Sequence, residues 1–131
     1  MSRDDMNASL KAALVPALRA RGFKGSLPHF RRATDARIDL LTIQFDQHGG
    51  GFIVEISRCG PEGITTSWGK HIPPNKVTAH DLHLYERHRL GSPGRDVDGR
   101  WYRFDDGSPT DLIAHELVGH LAEADEWWAA G

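Results

Sequence analysis

The sequence predicts an α+β fold: a mainly antiparallel sheet of about five strands packed with, and held between, an N-terminal and a C-terminal helix. Three observations carry this. An apolar residue recurs at every fourth position from Met6 to Leu18, a Gly49-Gly50-Gly51 run joins two alternating apolar segments, and Ser108-Pro109 opens an amphipathic stretch reaching Trp128. With 131 residues and no repeat, low-complexity tract or linker, a single α+β domain over residues 1–131 is expected.

The first helix is expected from Asp4 to Arg21. Met6, Leu10, Leu14 and Leu18 form its apolar stripe, Asp4 and Asp5 suit its positive end, Arg19 and Arg21 its negative end, and Gly22 stops it. Pro16 conflicts with this pattern: it removes one backbone bond and predicts a kink near Ala12.

Strand-like runs follow at Pro28–Ala33, Arg37–Gln47 and Phe52–Arg58. The last two form a hairpin across the glycines, which tolerate positive φ. Pairing Phe45 near Phe52 puts Leu41, Ile43, Phe45, Phe52, Val54 and Ile56 on the helix-covered side. The reverse side then shows Thr42, Gln44, Ile53, Glu55 and Ser57.

Between residues 59 and 84, Gly60, Pro61, Gly63, Pro73 and Pro74 mark turns, with one helical turn around Thr78–Leu82. Two further strands are expected at Tyr85–Leu90 and Arg100–Phe104, joined by a loop over 91–99. In the final helix Ser108 is the expected N-cap, with Pro109 at the first helical position and Asp111 at the third. Ile113, Leu117, Leu121, Ala124 and Trp128 form its buried stripe.

The residues Leu14-Val15-Pro16-Ala17-Leu18, Gly22-Phe23-Lys24-Gly25, Phe30-Arg31-Arg32, Ile43-Gln44-Phe45 and Phe52-Ile53-Val54-Glu55 form a recognisable series. Together with Arg89-Leu90-Gly91 and Trp101-Tyr102-Arg103-Phe104, the chain resembles the bacterial domain-of-unknown-function family 4304. The resemblance implies an α+β fold with these elements and implies no activity.

Cys59 is the lone cysteine, so no intrachain disulfide forms; the adjacent Arg58 favours a thiolate by its charge, but no His neighbours it as a base. No apolar run approaches the ~20 residues of a membrane span, and Met1–Asp5 lacks the basic start of a signal peptide. A cytoplasmic location with no membrane partner is therefore expected. Residues 105–131 carry seven Asp/Glu and no Lys/Arg, against a formal net charge of −2 for the chain. That acidic end either answers basic residues of the same fold or faces a basic partner.

No catalytic set passes a geometric test. His115-Glu116-Leu117-Val118-Gly119-His120 approaches the zinc-peptidase pattern H-E-x-x-H, but its histidines are five apart, which puts their rings roughly 140° apart around a helix. No metal and no cofactor is expected, either there or among His71, His80, His83 and His88. The basic stretch Arg19, Arg21, Lys24, Arg31 and Arg32 raises nucleic-acid binding, which the pI of 6.4 and the acidic end disfavour. The Asp96/Asp98 and Asp105-Asp106 pairs suit turns.

Two readings of function remain besides that weak nucleic-acid one. A non-enzymatic protein-binding or regulatory module, of the immunity type for example, would contact its partner through Trp68, Glu116, Glu123 and Glu126. A small-ligand binder or enzyme would instead use the polar sheet face, where Arg32, Gln44, Glu55 and Arg89 are expected to converge. A plug formed by residues 59–84 over that face would close the second reading.

Overall fold

The computed structural model describes residues 2–47, 49–91, 101–105 and 107–130. Residues 92–99 of the expected loop over 91–99, with its Asp96/Asp98 pair, and Asp106 lie outside them.

Helix α1 spans Arg3–Ala20. It opens on a reciprocal cap: Asp5 N–H donates to Ser2 Oγ at 3.1 Å, and Ser2 N–H donates to the Asp5 carboxylate at 3.0 Å. Met6, Leu10, Leu14 and Leu18 are fully buried, as their spacing requires. The helix continues through Pro16, which is exposed on the same side as Ala12, where water reaches the carbonyl that lacks its donor. Gly22, at φ +90°, turns the chain out of the helix.

The strands β1 (Lys24–Ser26), β2 (His29–Ala33), β3 (Ile38–Phe45) and β4 (Gly51–Cys59) follow as an antiparallel meander. Phe45 pairs with Phe52, as alternation indicates. After a small separate hairpin, β5 (Ile64–Thr65) with β6 (His71–Ile72), come single 3-10 turns at Ala79–Asp81 and Leu84–Glu86. Strands β7 (His88–Arg89) and β8 (Tyr102–Arg103) both pair with β4, at Glu55–Ile56 and Gly51–Phe52 respectively. They share one edge, so the main sheet is five strand positions wide. The strand expected over Tyr85–Leu90 is shorter because residues 84–86 close a turn.

Helix α2 covers Thr110–Ala129. Pro109 is its N-cap rather than its first helical residue, because its ψ of 130° is extended. Ser108 therefore lies outside the helix and Asp111 at its second position. The Thr110 hydroxyl meets Ser9 Oγ of α1 at 2.7 Å, and Arg21 at the other end of α1 pairs with Asp125 of α2 at 3.1 Å. The helices thus lie side by side in one direction. They do not sandwich the sheet: both pack on one face, over Phe30, Leu41, Ile43, Phe52, Val54, Ile56 and Tyr102.

The other face is covered by the segment between β4 and β7. Val77, Ala79 and Leu82 pack on Ile38 and Leu40, with Cys59, Ile64 and Ile72 at the margin. Burial of Val77 and Leu82, at roughly 1.5–3 kcal/mol each, supplies much of the force that holds an irregular segment in place. The molecule therefore has three layers, and the segment hardest to read in the sequence forms the third.

Candidate functional site

Strand alternation decides which expected site residues can meet. Phe30 pairs with Leu41 and Arg32 with Asp39, so Arg32 projects to the helix-covered face. There it donates to the buried Asp39 at 2.7 Å and lies over the rings of Phe23 and Trp128, at 4.7 and 5.3 Å from their centroids. It cannot join Gln44, Glu55 and Arg89, which project from the reverse face. Gln44 is exposed, opposite Ile53.

Glu55 and Arg89 do come together, as register partners 4.0 Å apart between Oε2 and Nη2. Glu55 is buried, and its other oxygen lies 3.5 Å from Arg87 Nη1 and 3.1 Å from His80 Nε2. The His80 contact lacks hydrogen-bond alignment, which leaves Nε2 buried and without a hydrogen-bond partner among the described residues. Burial pushes the Glu55 carboxyl up, but His80, Arg87 and Arg89 together outweigh it and hold the group below its ordinary range. The neighbouring His29 bonds Thr42 Oγ1 at 3.0 Å, and burial, with the charges of His80 and Arg31, lowers its pKa.

Such a carboxylate is stabilised in its charged form, which makes it a poor base and a good anchor. Arg87 also donates to the His80 and Leu82 carbonyls, and Ser57 Oγ donates to the Glu86 carbonyl at 2.9 Å. The arrangement fastens residues 77–87 to the sheet. The polar face around Glu55 is thereby covered by the chain itself.

Several of the other candidates read from the sequence have structural partners. Arg19 donates to the Phe23 and Gly25 carbonyls, Arg21 to Asp125, Arg31 to the Val77 carbonyl and Arg32 to Asp39. Of that basic stretch, Lys24 is the exposed side chain for which no such bond is seen among the described residues. His120 pairs through Nδ1 with the Tyr102 hydroxyl, whereas His115 is exposed. Among the described residues no three His, Cys, Asp or Glu side chains are grouped to hold a metal, and no helix is long and apolar enough to cross a membrane. Cys59 packs on the outer core while Arg58 points the other way to the Trp127 carbonyl. Burial, then the Glu62 and Asp39 carboxylates, push the Cys59 thiol up to about 11, the reverse of thiolate activation.

One open groove, of about 190 Å³, lies between the β5–β6 hairpin and the two 3-10 turns. Trp68 at the hairpin tip and His83 both line it. The His83 ring in turn stacks on Tyr85, centroids 5.2 Å apart. Trp68, Leu84 and Tyr85 are 77%, 73% and 84% exposed, a concentration of bare apolar surface in one layer. Trp68 is thus the aromatic residue that the sequence singled out as a contact. Leu84 and Tyr85 gave no such signal, since a strand over 85–90 would bury every second side chain.

The acids of α2 lie in the opposite layer. Glu123 pairs with His88, and Glu126 lines a shallow depression with Glu123, His88 and Trp127. Glu116 is exposed on the same helix. The groove at Trp68 and this depression share no lining residue among the described residues.

No curated protein and no solved structure matches the chain. A family model described as a domain of unknown function (DUF4304) matches residues 14–131, from the middle of α1 through the end of α2. The chain belongs to the DUF4304 family.

Proposed function

We propose that this chain is a non-enzymatic protein-binding module of the bacterial cytoplasm, regulatory or immunity-type in character. The contact surface is the outer layer around Trp68, Leu84 and Tyr85. What supports the reading is the exposure of Trp68 in the groove and of Leu84 and Tyr85 on the turn that supplies its His83 and Glu86; among the described residues, Leu112 of α2 is the other large apolar side chain so exposed. Exposed Trp and Tyr next to a concavity are the side chains that dominate binding energy in protein interfaces. The lone Cys59 and the capped, charge-compensated Glu55 support a binding rather than a catalytic role. Affinity capture from a bacterial cytoplasm tests this: a stoichiometric protein should be retained, with salt-sensitive affinity. Retention of no protein, or only of salt-insensitive background, counts against it.

The polar-face alternative is not favoured, because His80 and Arg87 occupy the position a ligand would take beside Glu55.

A further inference from the structure

We infer that the groove beside Trp68 takes an arginine side chain from a basic segment of the partner protein. This rests on the protein-binding reading above and names its chemistry. Among the described residues, the acidic side chains Asp81 and Glu86 line the groove together with His83, and no Lys or Arg does. Each carboxylate is fixed by its own turn. Asp81 Oδ2 accepts from Thr78 N–H at 2.8 Å, and Glu86 Oε1 accepts from His83 N–H at 3.3 Å. Among the described residues no hydrogen bond to their second oxygens, Oδ1 and Oε2, is seen, so an incoming donor can use them.

Trp68 adds an exposed indole to the same lining. A guanidinium is planar, weakly hydrated and permanently charged; it stacks on an aromatic face and offers several donors in a fixed fork. An acidic groove with an aromatic wall matches those properties better than it matches an anion, which both carboxylates would repel. The acids of α2 are not needed for this recognition, since they lie in the other layer.

The test is an NMR titration of the intact chain, read at the Trp68 indole and at the His83 and Glu86 amides. Three short peptides serve as probes, each identical except for one central Arg, Lys or Glu. Saturable shifts are expected with the arginine peptide, weaker binding with lysine and none with glutamate. Trp68→Ala, and the pair Asp81→Asn with Glu86→Gln, should each weaken the arginine peptide by about tenfold. The amide variants keep the capping oxygens, and Trp68 is too exposed for its loss to unfold the chain. Absence of saturation, equal binding of the lysine or glutamate peptide, or undiminished binding by the amide variant would overturn the assignment. If the arginine peptide fails while a captured partner still depends on Trp68, the cation chemistry is wrong and the protein-binding reading stands.

Discussion

The ring of Tyr85 lies stacked on that of His83, centroids 5.2 Å apart and planes within 6°, although Tyr85 is almost fully exposed. A tyrosine held flat in this way offers a preorganised apolar surface and loses little rotamer freedom when a partner covers it. Trp68→Ala and Tyr85→Ala are expected to change folding stability by less than about 0.5 kcal/mol, since neither side chain is buried. Each should weaken partner binding by about 2 kcal/mol, roughly thirtyfold. Urea denaturation and titration calorimetry with the captured partner check the two halves separately.

Glu55→Gln should destabilise the fold by about 2–4 kcal/mol, because it leaves His80, Arg87 and Arg89 facing an uncharged group. The pH dependence has a definite sign. The folded-state pKa of Glu55 lies below its ordinary value, so its contribution is present above the unfolded pKa of about 4.5. It is lost as the pH falls through the folded value. Wild-type stability should therefore drop more steeply than that of the Gln variant on acidification below about pH 5. Denaturation midpoints measured across that range decide it, and parallel curves would contradict the anchoring role.

Cys59 should resist alkylation. Its thiol is pushed up to about 11, so the thiolate fraction at pH 8 is far below that of a free cysteine. Iodoacetamide labelling of the native chain is expected to run at least about ten times slower than labelling in denaturant. Comparable rates would show that burial of the outer core is weaker than described.

Gly63 supports the hairpin that carries Trp68. Its φ is +90°, and an added Cβ would lie 2.1 Å from the Ile72 carbonyl oxygen of the partner strand. Gly63→Ala should disrupt the β5–β6 pairing, cost about 1–3 kcal/mol and weaken partner binding without touching the groove itself. Hydrogen exchange at the hairpin amides is the direct readout.

The layers differ in how well they are written in the sequence. Met6, Leu10, Leu14 and Leu18 follow the helical period, and Phe45–Phe52 follows strand alternation, so the helix stripes and the hairpin side of the core are legible, whereas Phe23, Phe30, Leu90 and Tyr102 lie in or beside short strands and give no such signal of their own. The outer layer has no period. Ile64, Ile72, Val77, Ala79 and Leu82 are scattered among glycines and prolines, and they cohere only because Ile38 and Leu40 give them a surface. Arg32 was assigned to the wrong face, although Phe30 two residues earlier already fixed its direction. The candidate surface is half legible: Trp68 stands out as an aromatic close to Lys70, but its neighbours His83 and Tyr85 come from a segment whose 3-10 turns leave no pattern. The acids of α2 stand out as a charge run, yet partners within the fold are seen for Glu123, with His88, and for Asp125, with Arg21.

The most direct test combines Trp68→Ala with Tyr85→Ala in one tagged chain and compares its captured proteins with those of the wild type from the same bacterial lysate. Trp68 and Tyr85 flank His83 on one exposed surface, so the double variant should fold normally and lose a stoichiometric partner that the wild type retains. A partner held equally by both chains would contradict the central claim, as would the absence of any stoichiometric partner on the wild type.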